Sequence, residues 1–111
     1  MKKLIVLFTA AALVWTASAS AHAIVSPEVS LSGHLQLYSL AVPTEKEGAT
    51  TTKVTLTTPA GFGIDSFVPA PGWTRTAKGD TVTWSGGATP TEEDSLFQFL
   101  AEPAHAGTYV F

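Results

Sequence analysis

The segment Ala17-Ser-Ala-Ser-Ala-His-Ala-Ile-Val-Ser-Pro27 concentrates more potential chemistry than any other stretch of this 111-residue chain. Three Ala-x-Ala triplets overlap in it, ending at Ala19, Ala21 and Ala23, and each is a possible cut for a signal peptidase. A cut after Ala21 makes His22 the first residue, so one residue carries both a free α-amine and an imidazole. Those two nitrogens can close a chelate ring on a metal ion. An α-amine has a reference pKa near 8, and a neutral imidazole is available in the same range.

Nitrogen donors of this kind favour Cu(II) among the first-row divalent ions. Two nitrogens are not a whole site, and one or two further donors are needed. Glu28 is the nearest carboxylate in sequence, with His34 and Gln36 as other candidates. The triplets also allow other ends. A cut after Ala23 starts the chain at Ile24 and discards His22, and on the triplets alone this is about as good as the cut after Ala21. A cut after Ala19 gives Ser-Ala-His, where a third-position histidine can chelate through the amine, two amide nitrogens and the imidazole.

The residues before this segment read as a secretory leader over 1–21. Lys2 and Lys3 form a positive start, and Leu4 to Trp15 is apolar apart from Thr9. That run is shorter than the ~20 residues a membrane span needs, so cleavage is expected rather than anchoring. The chain has no cysteine, which removes disulfides, thiol catalysis and lipid attachment at the cut. Residues 22–111 are then one small exported domain, with no membrane span expected in it. They keep four basic residues (Lys46, Lys53, Arg75, Lys78) against nine acidic ones, a formal charge of −5. Such a surface repels a phosphate backbone, so nucleic acid is not an expected partner, whereas cations are attracted.

The elements that must position these residues are β throughout. Leu35 to Val42 is rich in strand formers, with a change of phase that suggests a bulge near Leu37 or burial on both faces. Pro43-Thr-Glu-Lys-Glu-Gly48 reads as a charged, exposed turn. Thr50 to Thr58 alternates, Val54 and Leu56 inward against outward threonines and Lys53. Trp73 and Arg75 open a hairpin with its tip at Lys78-Gly-Asp80, and Val82 and Trp84 share the inner face of the return strand, which Ser85-Gly-Gly87 is expected to end. Phe97 and Phe99 mark a further strand, and Gly107 to Phe111 looks like the opening of another. Stopping on an apolar strand residue leads to the expectation that the domain is incomplete at its C-terminus. Six or seven short strands between Gly and Pro turns point to an all-β sandwich.

Several segments together resemble the YcnI-like copper-binding domain family: His22-Ala-Ile-Val-Ser-Pro27, Tyr38-Ser-Leu-Ala-Val-Pro-Thr-Glu-Lys46, Thr50-Thr-Thr-Lys-Val54, Phe67-Val-Pro-Ala-Pro-Gly-Trp73, Val82-Thr-Trp-Ser-Gly-Gly87 and Phe97-Gln-Phe99. The resemblance implies an exported immunoglobulin-like β-sandwich that binds Cu(II) through its N-terminal histidine, in a one-histidine brace, and it favours the cut after Ala21. It also implies copper buffering or trafficking at the cell envelope, secreted or periplasmic, with an envelope copper transporter or chaperone as partner. Family members tend to carry an acidic ligand on the strand that here reads Gly33-His-Leu-Gln-Leu-Tyr38, where Gln36 stands instead. Their later tryptophan near the metal and their C-terminal membrane helix have no counterpart up to Phe111. The expected metal residues are thus His22, Glu28 and Gln36.

Other residues are read more plainly. A lone His34 or His105 is a surface or packing residue. Trp84 belongs in the core, and Trp73, just after a turn, is partly exposed. Glu92-Glu-Asp94 lacks the alternating oxygen spacing of a calcium loop. There is no Gly-x-Ser-x-Gly elbow, no His-Glu-x-x-His and no phosphate-cradling loop, so a binding protein is expected rather than an enzyme. The rival expectation is a metal-independent interaction module of the envelope. Oxidative copper chemistry comes third.

Overall fold

The computed structural model describes residues 22–111, and the expected leader at 1–21 lies outside the described residues. Seven strands and no helix make up the described chain: β1 (Ile24–Ser26), β2 (Gln36–Pro43), β3 (Thr50–Thr57), β4 (Phe62–Phe67), β5 (Thr74–Lys78), β6 (Thr81–Pro90) and β7 (Asp94–Pro103). They form two antiparallel sheets, one ordered β1-β2-β7-β4 and the other β3-β6-β5. This is the expected sandwich, immunoglobulin-like in its four-plus-three architecture. Relative to the strand order of an immunoglobulin constant domain, β5 and β7 have exchanged sheets.

Period-2 patterning decides which residues meet between the sheets. Tyr38, Leu40 and Val42 of β2 face Val54 and Leu56 of β3, Val82 and Trp84 of β6, and Phe97, Phe99 and Ala101 of β7, all buried. Trp84 and Phe97 stack with ring centroids 4.4 Å apart, and Tyr38 stacks on Phe99 at 6.0 Å. Buried aromatic pairs of this geometry add about 1 kcal/mol each beyond the area they bury. A disulfide-free domain of this size therefore holds together through an aromatic centre.

Three sequence expectations need correction. β2 pairs without interruption along both its neighbours, so no bulge occurs near Leu37, and Leu37 simply points outward. The ladder irregularities fall instead in β3, between Thr51 and Lys53, and in β4, between Ile64 and Ser66. Ser85-Gly-Gly87 does not end its strand, because β6 continues to Pro90. The reason is local. Gly86 takes a φ of 89° where the ladder to β3 slips, and Gly87 lies beneath the Trp73 indole, where a Cβ would sit 2.1 Å from Trp73 Cε2. Finally, Gly107–Phe111 forms no strand. Tyr109 and Phe111 instead pack edge-on against Phe62, at 5.9 and 4.8 Å.

Candidate metal centre

His22 precedes the edge strand β1, whose register on β2 is Ile24 opposite Ala41 and Ser26 opposite Ser39. Continued backwards, that register sets His22 opposite Pro43, the last residue of β2, beside the turn that follows it. There the His22 Nδ1 lies 2.6 Å from Glu45 Oε1, with both side chains more than half exposed. Nδ1–H donates to the carboxylate in this contact. Nδ1 is also the ring nitrogen that can share a chelate ring with the α-amine of the same residue.

The turn carrying Glu45 is held from below. Thr44 is buried, its backbone N–H donates to Glu93 O (2.9 Å), and its carbonyl accepts from Glu92 N–H (2.8 Å). Its hydroxyl donates to Thr89 O at 3.0 Å and therefore accepts from the Thr51 hydroxyl. On the other side, Thr91 Oγ1 donates to Lys46 O (2.7 Å) and accepts from Ala49 N–H (3.2 Å). Glu92 itself takes a φ of 73°, a costly conformation for a residue with a side chain, at the crossover from β6 to β7. The backbone on either side of Glu45 is thereby fixed to the same crossover.

The two other expected ligands stand elsewhere. Glu28 is exposed beyond the far end of β1. Gln36 opens β2, whose eight residues span about 26 Å and separate it from Glu45. Its parity is that of the buried Tyr38 and Leu40, opposite to the outward Leu37. Its amide is also occupied. Oε1 accepts from Leu31 N–H (2.9 Å), while Nε2 donates to Leu31 O (2.7 Å) and His34 O (3.0 Å). Gln36 is the clamp of the loop between β1 and β2, and His22, Glu28 and Gln36 are not brought together. His34 and His105 are exposed, as their isolation in sequence suggested. Among the described residues, no group of three or more His, Cys, Asp or Glu is gathered for a metal ion.

Sequence reasoning missed Glu45. It took Glu28 as the candidate carboxylate, with Gln36 standing where the resemblance implies an acidic ligand, and read Pro43–Gly48 as a charged, exposed turn. The available signal was the hairpin itself: two extended segments paired antiparallel bring the residue before the first to the turn after the second.

A β-sandwich with a histidine–carboxylate pair on its rim is the class that these observations define. The family model described as "Domain of unknown function (DUF1775)" matches residues 22–93. Copper-binding protein CutI of Bacillus subtilis (strain 168) is 38% identical over 92 residues, covering 78% of this chain and 45% of that protein. The chain belongs to the DUF1775 family, the YcnI-like domains that its motifs resemble. It spans about half the length of the curated relative it matches.

Proposed function

We propose that the chain binds copper, as Cu(II), at His22, with Glu45 completing the donor set. The observation that carries this reading is the 2.6 Å contact between His22 Nδ1 and Glu45 Oε1. Two donors at right angles, each ~2.0 Å from a metal, are ~2.8 Å apart. Replacing the shared proton by a metal ion therefore asks the pair to open by only a few tenths of an ångström. The α-amine released by cleavage after Ala21 supplies the second nitrogen, giving two nitrogens and one carboxylate oxygen, a set suited to tetragonal Cu(II). Similarity to a protein named for copper binding supports the choice of metal. The chain acts as a carrier or buffer exported to the cell envelope, not as an enzyme, with a copper transporter or chaperone of the envelope as its exchange partner.

The test is titration of the purified protein with Cu(II), its N-terminus fixed by intact mass. One equivalent bound with His22 exposed, and none after His22→Ala, is expected. Equal binding by the variant would defeat the assignment.

A further inference from the structure

We propose that the depression between Trp84 and the crossover from β4 to β5 binds the carboxylate of a small organic acid. Arg75 and the Trp84 indole N–H are the donors, and Pro69, Pro71 and Trp73 hold the apolar body of the ligand. The inference does not depend on the metal.

β4 and β5 lie in different sheets, so the chain between them, Val68 to Trp73, spans one side of the sandwich. That crossover is held stiffly. Val68 N–H donates to Gln98 O (2.9 Å), and Trp73 N–H donates to Ala70 O (3.1 Å), closing a turn in which Gly72 takes a φ of 88°. Pro69 and Pro71 restrict the backbone further. The Trp73 indole rests on Gly87 and meets the Phe97 ring edge-on, so the core sets its position. Beside the crossover is an open depression of about 320 Å³, with Trp84 and Arg75 in its wall. Of the residues that line it, Arg75 alone is charged. The volume suits a small molecule or the end of a chain.

Two donors at this depression have no acceptor. Arg75 and Trp84 are direct partners on the β5–β6 ladder, so their side chains leave the same face. Trp84 is 1% exposed, yet its indole N–H meets no acceptor among the described residues. No side-chain nitrogen or oxygen that is sealed from solvent lacks a partner among those residues. The indole N–H is therefore reached from outside, and the depression is where Trp84 meets the surface. A donor on so deeply buried a ring calls for an acceptor there. Arg75 makes no ion pair or hydrogen bond with any described residue either. Its Cζ stands 4.2 Å from the centroid of the Phe67 ring, a contact that holds the guanidinium in place. A ring face gives N–H groups no lone pair, so the donor fork stays unspent. A carboxylate answers both donors, with charge for Arg75 and a second oxygen for the indole. A neutral sugar offers hydroxyls but nothing to match the charge.

The experiment is a proton–nitrogen correlation NMR titration of the labelled, metal-free protein. The probes are phenylacetate, N-acetylphenylalanine and, as a neutral control, N-acetylphenylalanine amide. Both acids should bind with a Kd of roughly 0.1–1 mM, the affinity of ligands this small. They should move the Trp84 indole cross-peak, which Trp84→Phe assigns. The neutral amide should bind about tenfold more weakly or worse. Arg75→Gln should weaken the acids by about tenfold or more and leave the amide unaffected, with near-ultraviolet circular dichroism showing the fold intact. His22→Ala should titrate like the parent, which separates this site from the metal site. A tenfold preference for N-acetylphenylalanine over phenylacetate marks chain ends as the natural source, and its absence marks free acids; both support the carboxylate site. A Trp84 cross-peak unmoved by both acids at about 10 mM overturns the proposal. So does an amide that binds as tightly as its acid, or acid binding indifferent to Arg75→Gln.

Discussion

His22 Nδ1 meets Glu45 Oε1 across the end of the β1–β2 hairpin, 2.6 Å apart. The pair is created by strand register and not by sequence proximity. Any change that moves β1 along β2 by one residue would turn His22 to the other face and dissolve it.

Glu45→Gln keeps the shape of the side chain and removes its charge. Cu(II) affinity should fall by about 10- to 100-fold, the value of a charge-assisted contact of ~1.5–3 kcal/mol, with thermal stability almost unchanged because the pair is exposed. Competition titration against a chelator of known affinity measures it. Unchanged affinity would remove Glu45 from the donor set.

Extending the N-terminus by one alanine, so that Ala21 remains ahead of His22, converts the α-amine into an amide nitrogen. The chelate ring is lost while the imidazole and Glu45 stay in place. Electron paramagnetic resonance of the Cu(II) form should show a different nitrogen set, and affinity should drop more than for Glu45→Gln.

Metal binding to the amine and the imidazole competes with protons, so affinity must decline as pH is lowered. Below the range in which both nitrogens are neutral, the logarithm of the binding constant should change by between about one and two for each pH unit. Calorimetry in buffers of different ionisation enthalpy counts the released protons. A pH-independent affinity would exclude both nitrogens as donors.

Thr44→Val deletes the buried hydroxyl that links Thr89 and Thr51. It should cost about 1–3 kcal/mol in urea unfolding, because Thr89 O loses a donor in a buried setting. It should also weaken Cu(II) binding, since the Glu45 turn is then less firmly held.

Gly87→Ala sets a methyl group into the Trp73 indole, 2.1 Å from Cε2. The ring must leave its edge-on contact with Phe97, 5.0 Å between centroids. A loss of about 1–3 kcal/mol is expected from such overpacking. Urea unfolding monitored by tryptophan fluorescence reads it.

Much of the fold was legible because its strands keep a strict period. Val54 with Leu56, Val82 with Trp84, and Phe97 with Phe99 alternate cleanly, and each pair lies in the core. What escaped depends on partners distant in sequence. Gly86 and Gly87 look like a strand end until Gly86 is seen to supply the positive φ at the slip in the ladder and Gly87 the bareness that the Trp73 ring needs. Gly107–Phe111 has the residues of a strand, yet its aromatics find Phe62 and no ladder. Within the candidate site, His22 could be read from its place behind the expected cut, whereas Glu45 could not. Its significance arises only when β1 lies down on β2, and local sequence describes it merely as a charge in a turn. Gln36 was named from its place on the strand, and what the sequence did not show is that its amide bonds to Leu31 and His34.

The tie between Thr44 and the Glu92 crossover has a thermodynamic corollary. The carboxylate next to the histidine is hung from the chain segment that passes between the two sheets, so the domain cannot come apart there and still present that oxygen. Ion release and the opening of the sandwich should then be one cooperative event on heating, and a loaded molecule that begins to unfold surrenders its cargo at once.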